Sequence, residues 1–259
     1  MDVIAAGPVA LGTAGPSILI RNVPAGQCSY ACVYCCLGGT ERLRTRRRPF
    51  YPTAEVVAAV RERVEQGAPA RPVLPYLTFL PGGEPTLDCH IGIEMRRLGS
   101  LRLPVAVVTN ASLLWRPEVR SELLEAERIT VKLDAVDTDT WRRLNRPARQ
   151  LRLKRVLEGI EALREEYRGR IYTRTAIIPG LNDSEQQLRS LAAFLNAVLP
   201  TAALVVGRGP RPADGASNRS APARTAQLRL ARFVTGIAVV LDHGGPALAH
   251  ARGHQGVAS

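Results

Sequence analysis

The run Cys28-Ser29-Tyr30-Ala31-Cys32-Val33-Tyr34-Cys35 sets three thiols at C-x3-C-x2-C spacing on one short loop. That spacing leaves room for three side chains to ligate three irons of one four-iron cluster, and a cubane held by three protein thiolates keeps its last iron open to a small molecule. An open iron points to chemistry as well as electron storage. A structural zinc site instead wants four ligands in two paired knuckles, and neither a second C-x2-C nor an H-x3-H follows here. A zinc-binding, nucleic-acid-binding protein without enzymatic activity is the non-catalytic alternative. Disulfides fit less well, because the thiols crowd one loop and the chain reads as cytoplasmic. Cys36 and Cys89, taken singly, read as small buried hydrophobes.

Outward from that loop, short apolar runs alternate with helical patterns. The strand candidate Tyr76 to Leu80 leads into Gly82-Gly83-Glu84-Pro85. Glycines let backbone lie close to a ligand, and a carboxylate beside them suits an ammonium group. Pro104 to Thr109 is a β-branched run ending in Thr109-Asn110. In Ile129 to Asp134, side-chain alternation puts Lys132 and Asp134 on one strand face. Ile171 to Ile178 carries Arg174, whose planar fork matches a carboxylate. Ser17 to Val23 and Ala202 to Gly207 complete six predicted strands.

Between them, Thr53 to Gln66 stripes Val56, Val57, Val60 and Val64 on one helix face, and Leu153 to Tyr167 and Ser184 to Leu199 repeat the pattern. Pro179-Gly180-Leu181-Asn182-Asp183 reads as a turn in which Asp183 or Ser184 caps the next helix. Six βα units predict an α/β fold with a parallel, curved sheet and helices outside. Every chemistry-bearing residue named so far falls at a strand's C-terminal end or just beyond, where barrels of this kind place their sites.

Taken in this order, the motifs resemble the radical S-adenosylmethionine (SAM) superfamily. The resemblance implies a single-domain partial (β/α)6 TIM-type barrel. It implies a [4Fe-4S] cluster on Cys28, Cys32 and Cys35, with the aromatic Tyr34 before the last of them, and S-adenosyl-L-methionine as the second cofactor. By the same resemblance Gly82, Gly83 and Glu84 hold the methionine amino group, Thr109 and Asn110 approach the ribose, and Arg174 meets the carboxylate. Lys132, Asp134, Asn145 and Arg146 are expected to face substrate, on position alone. The implied reaction is reductive cleavage of SAM to a 5′-deoxyadenosyl radical that abstracts hydrogen from a substrate. The electron would come from an external donor of the flavodoxin or ferredoxin type.

Tyr30 to Cys35, Leu37-Gly38, Arg46 to Tyr51, Leu133-Asp134-Ala135 and Leu144-Asn145-Arg146-Pro147 are similar to a radical SAM group related to the wyosine-tRNA synthesising enzymes. That likeness spans about residues 17 to 213, ending on Arg211-Pro212-Ala213. The wyosine enzyme carries extra cysteines for a second cluster, and here no cysteine precedes Cys28. A glycyl-radical-enzyme activase is the other enzymatic alternative; its strand motif usually reads Asp-Leu-Lys, where this chain has Lys132-Leu133-Asp134.

The 259 residues suit one barrel, read as an N-terminal extension over 1–16, a core over 17–207 and a divergent C-terminal segment over 208–259. In that last segment Thr225 to Val234 reads as a helix and Ile237 to Leu241 as a strand, while His243, His250 and His254 receive no role. No signal peptide or membrane span is expected. A formal charge of +12 and an isoelectric point near 10.3, with the Arg42 to Arg48 run beside the cysteine loop, make tRNA or another nucleic acid a reasonable partner. Few aromatics interleave those arginines to stack bases.

Overall fold

The computed structural model describes residues 3–11, 15–35, 39–40, 42–67, 75–80, 82–207 and 221–242. Cys36, Leu37 and Gly38, the Arg211-Pro212-Ala213 trace and the three C-terminal histidines lie outside them. The first strands are β1 (Ala5–Ala10), at a sheet edge, and β2 (Pro16–Ile20) beside it, followed by a two-stranded ribbon of β3 (Gln27–Cys28) and β4 (Arg42–Leu43). Then come α1 (Thr53–Gln66), β5 (Tyr76–Phe79), α2 (Ile91–Leu98), β6 (Val105–Thr109), α3 (Pro117–Leu123) and β7 (Arg128–Lys132). The rest are α4 (Thr138–Asn145), α5 (Leu153–Glu166), β8 (Arg170–Ile177), α6 (Glu185–Val198), β9 (Ala202–Gly207), α7 (Ala221–Phe233) and β10 (Ala238–Asp242).

One sheet runs in the order β1-β2-β5-β6-β7-β8-β9-β10. From β2 to β10 every pairing is parallel, and only β1 pairs antiparallel. All six predicted strands are present. Parallel neighbours in sequence order, each joined by a crossover outside the sheet, make a singly wound α/β half-barrel. Residues 5–10, assigned to the extension by sequence, form the edge strand β1. Residues 238–242 pair with β9, Ala238 opposite Ala202 and Asp242 opposite Val206, and α7 is tied to that strand by Gln227 Nε2 donating to Val205 O at 2.9 Å.

The core is apolar by layers. Ile18, Leu77, Phe79, Val107, Ile129 and Val131 from the sheet meet Val56 and Val60 of α1, Ile160 and Leu163 of α5, and Leu188 and Leu195 of α6 in one buried cluster. Helix α6 starts on a capping box, with Ser184 and Gln187 satisfying each other's backbone donors, so of the two expected caps Ser184 is the one used. Asp137 caps α4 by accepting from Thr140 N at 2.8 Å. These caps fix where the strand-to-helix loops turn, and therefore where the strand-end side chains point.

Candidate active site

The cysteine loop is strapped down by backbone bonds to the end of α4. Ala31 N donates to Asn145 O at 3.0 Å, Val33 N to Leu144 O at 3.0 Å, and Ala148 N to Ser29 O at 2.9 Å. On its other side Arg44 N reaches Cys28 O at 2.8 Å, and Ser29 Oγ meets Ser112 Oγ at 2.6 Å. Cys28, Cys32 and Cys35 are all partly buried free thiols. Gly82 and Gly83 press against the residues before Cys28: a Cβ on Gly83 would sit 1.8 Å from Gln27 O, and one on Gly82 2.9 Å from Ala25 Cα. Two glycines let one loop lie backbone to backbone on the other, as Gly26 N donating to Gly82 O at 3.0 Å shows.

Glu84 is 1% exposed and carries four hydrogen bonds. Its Oε1 accepts from Thr86 N at 3.2 Å, Thr86 Oγ1 at 2.6 Å and Thr109 Oγ1 at 2.6 Å, and its Oε2 accepts from Asn110 N at 2.7 Å. Burial pushes its carboxyl up, and those donors pull it back only in part. Thr109 therefore spends its hydroxyl on Glu84. The side chain of Asn110 is oriented by Ser112 N donating to its Oδ1 at 3.0 Å; its Nδ2 donates to Ser29 Oγ at 2.8 Å and reaches Cys28 Sγ at 3.5 Å.

Asp134 gathers donors from three other elements. Its Oδ2 accepts from Tyr34 Oη and from Asn145 Nδ2, the latter at 2.8 Å, and its Oδ1 accepts from Ala176 N at 2.8 Å. Asn145 Nδ2 also lies 3.4 Å from Cys32 Sγ. Lys132 sits with Nζ 5.1 Å from the Tyr34 ring centroid and is paired in register with Arg174 on β8. Burial pulls the Lys132 amine down, but Cys32, Asp134 and Cys35 outweigh it and the net shift is upward. Asn182 was read only as part of a turn; its Nδ2 joins Asp134 O at 2.9 Å to Ala176 O at 2.8 Å, stapling the ends of β7 and β8.

One cavity brings most of these groups together. It holds about 1020 Å³ of space free of protein atoms, mouth included, and is lined by Cys28, Cys32, Cys35, Tyr34, Gly82, Gly83, Glu84, Asn110, Lys132, Asp134 and Arg174. Thr109 and Asn145 stand behind that lining, buried. Arg146 is the exposed C-cap of α4, in left-handed conformation at φ 44°, and lies outside the lining.

The residues fit an iron–sulfur cluster. Three free thiols line one space, the number that ligates three irons of a four-iron cluster and leaves the fourth open. Burial, then nearby Glu84, pushes the Cys28 thiol up to about 12. Burial likewise raises Cys32. Ligation to a metal would reverse this by deprotonating the thiols, so cluster uptake would release protons.

The basic run divides between structural and exposed residues. Arg47 is tied to Thr86 O, Asp88 O and the Glu122 carboxylate, and Arg44 to Gln27. Arg42, Arg46 and Arg48 are exposed, with Arg48 stacked 4.7 Å from the Phe50 ring. No helix among the described residues is long and apolar enough to cross a membrane.

A family model of the radical SAM superfamily matches residues 22–192. The UPF0026 protein MJ1312 of Methanocaldococcus jannaschii is 38% identical over 197 residues, covering 76% of this chain and 61% of that one. Among solved structures, a radical SAM methyltransferase from Sphaerobacter thermophilus superposes with a TM-score of 0.65 at 18% identity, over 87% of this chain and 66% of that one. A structure of TYW1 with a lysine-pyruvate adduct superposes at 0.58 and 16% identity, over 84% of this chain and 72% of that one. At such identities the two structures speak to fold. The chain spans less than two thirds of the length of the curated relatives it matches, 61% for the Methanocaldococcus protein.

Proposed function

The chain belongs to the radical SAM superfamily, whose enzymes use a [4Fe-4S] cluster and SAM, and we propose that residues 17–207 form the core of such an enzyme with the cluster on Cys28, Cys32 and Cys35. The observation that carries this reading is the single cavity at the C-terminal strand ends, where three thiols meet Glu84, Lys132, Asp134 and Arg174. When bound, the cluster and SAM supply one-electron cleavage of a carbon–sulfur bond, giving methionine and a 5′-deoxyadenosyl radical that takes hydrogen from substrate.

The residues around that chemistry bind and orient. Glu84 presents its charge to the methionine ammonium group, a stronger donor than the Thr86 and Thr109 hydroxyls, which can rotate away. Arg174 meets the methionine carboxylate, Gly82 and Gly83 allow the close approach, and Asn110 lines the wall on the ribose side with its amide N–H groups turned to Ser29 and Cys28. Tyr34 closes the wall beside the cysteines. Lys132 and Asp134 face the remaining cavity and contact substrate; Arg146, exposed at the end of α4, meets substrate outside it. An external low-potential donor of the flavodoxin or ferredoxin type supplies the electron. Exposed Arg42, Arg46 and Arg48 near the cysteine loop, with the net charge, favour an RNA substrate such as tRNA. Reducing conditions in the cytoplasm would keep the thiols ligand-ready.

Anaerobic reconstitution with iron and sulfide, then dithionite and SAM, tests the core of this. Wild type is expected to release 5′-deoxyadenosine and Cys32→Ala is not. Zinc uptake with no cluster, or equal product from both proteins, would overturn it.

A further inference from the structure

We propose that Asn110 and Asn145 set the reduction potential of the cluster, each by donating a side-chain N–H to one ligand sulfur. The proposal rests on the cysteine assignment above. Asn110 Nδ2 lies 3.5 Å from Cys28 Sγ and Asn145 Nδ2 lies 3.4 Å from Cys32 Sγ, within the reach of an N–H···S bond. Both asparagines are buried, 5% and 3% exposed, so their N–H groups are largely shielded from bulk water.

The hydrogen count fixes what each amide does. A side-chain amide has two N–H donors. Asn110 gives one to Ser29 Oγ at 2.8 Å and is left with one for Cys28. Asn145 gives one to Asp134 Oδ2 at 2.8 Å and is left with one for Cys32. Nitrogen and oxygen of an amide are assigned from such networks, and here the networks are decisive. Asn110 Oδ1 accepts from Ser112 N at 3.0 Å, and the partner facing Asn145 is a carboxyl oxygen, so in both residues nitrogen is the atom that points to sulfur.

Reduction adds one electron to the cluster, and part of that charge falls on the ligand sulfurs. Donors aimed at them stabilise the reduced form and raise the potential, as hydrogen bonds to sulfur do in iron–sulfur sites generally. The amides are neutral, so they do this without adding a charge that would compete with SAM. Asp134 orients the Asn145 amide directly, whereas the Asn110 amide is oriented by Ser112 N and Ser29 Oγ, with Glu84 fixing its main chain.

The test is a potentiometric titration of reconstituted holoprotein, followed by the EPR signal of the reduced cluster. Asn110→Ala and Asn145→Ala are each expected to lower the ratio of reduced to oxidised cluster about tenfold at fixed potential, a midpoint about 59 mV more negative for one electron. Asn182→Ala removes bonds to the backbone oxygens of Asp134 and Ala176 but leaves the Asp134 carboxylate on Asn145 and touches neither sulfur, so it should leave the midpoint in place. Unchanged midpoints in both asparagine variants at wild-type iron content would overturn the proposal while leaving the cysteine assignment standing; no cluster in wild type would overturn both. Should the alanine variants not hold a cluster, wild type labelled with 15N asparagine decides the matter. Pulsed EPR of its reduced cluster is expected to show nitrogen coupling, and its absence refutes the proposed bonds.

Discussion

Glu84 and Asp134 are both buried carboxyls just past strand ends, and each bonds an asparagine that reaches a cysteine, Glu84 at the main chain of Asn110 and Asp134 at the side chain of Asn145, yet they are built in opposite ways. Glu84 draws its four donors from Thr86, Thr109 and Asn110, all on its own loop or the end of the adjoining strand. Asp134 draws its three from Tyr34 on the cysteine loop, Asn145 at the end of α4 and Ala176 on β8. The first is a local knot whose position depends on backbone, through the glycines beside it. The second is a keystone, and its removal frees three elements at once. A polar group satisfied locally can be altered at modest cost, whereas one that spans elements carries tertiary structure as well as charge.

The largest effect should come from breaking the Glu84 side at its backbone. Gly83→Ala places a Cβ 1.8 Å from Gln27 O, where no side-chain motion can relieve the overlap. The expected cost is more than about 4 kcal/mol, in the range of changes that displace packed backbone, with loss of iron and sulfide uptake. Urea unfolding and iron content measure both, and near-wild-type values would show that the two loops do not need this contact.

Side-chain changes should then rank the two carboxyls. Asp134→Asn puts donors where Tyr34 Oη and Asn145 Nδ2 already donate, so about 2 to 3 kcal/mol is expected from two disturbed buried bonds. Glu84→Gln keeps an oxygen for the three donors on Oε1, and the clash is confined to Asn110 N. It also removes a charge that burial disfavours, so the expected cost is about 1 kcal/mol. Equal costs, or the reverse order, would remove the distinction between knot and keystone.

How far the sequence revealed this site follows the same division. The strands were legible because β-branched runs such as Val105 to Thr109 are bounded by turn residues, and α5 and α6, each of 14 residues, show several turns of apolar stripe. Helices α2, α3 and α4, of 7 or 8 residues, are too short for that period to stand out. Strand β1, reading Ala-Ala-Gly-Pro-Val-Ala, has no strand pattern of its own and exists by pairing with β2. Residue types at strand ends were legible, but their partners were not. Asn110 lies 82 residues from Cys28 and Asn145 lies 113 from Cys32, and nothing local tells an amide aimed at sulfur from one aimed at ribose or substrate. Asn182 and the Ser29–Ser112 pair were missed for the same reason. Arg47 misled in the other direction: within a basic run it reads as exposed, and the fold spends it on Glu122 and two carbonyls.

A third buried carboxyl extends the comparison to its lower end. Glu94, on α2 behind the Glu84 loop, accepts one bond, from Asn22 Nδ2 to its Oε2 at 3.3 Å, and its Oε1 is buried without a partner among the described residues. Burial first, and then nearby Asp88, push its carboxyl up to about 8 from 4.5, so near neutrality it holds a proton. Because the folded value lies above the unfolded one, the stability this group contributes is complete below about 4.5 and is lost as pH rises through about 8. Glu94→Gln, which cannot ionise, should flatten that decline. At pH 5 the variant is expected to be slightly less stable, since its amide N–H groups replace Oε1 where no acceptor waits. At pH 9 it should be more stable by about 3 kcal/mol, given about 1.4 kcal/mol per pKa unit and a discount for relaxation around the ionised group. Urea unfolding of both proteins from pH 5 to pH 9 should therefore give curves that cross. Parallel curves would mean that Glu94 ionises at no cost in the folded protein, and that the ordering of the three carboxyls by their donors fails where it should be easiest to see.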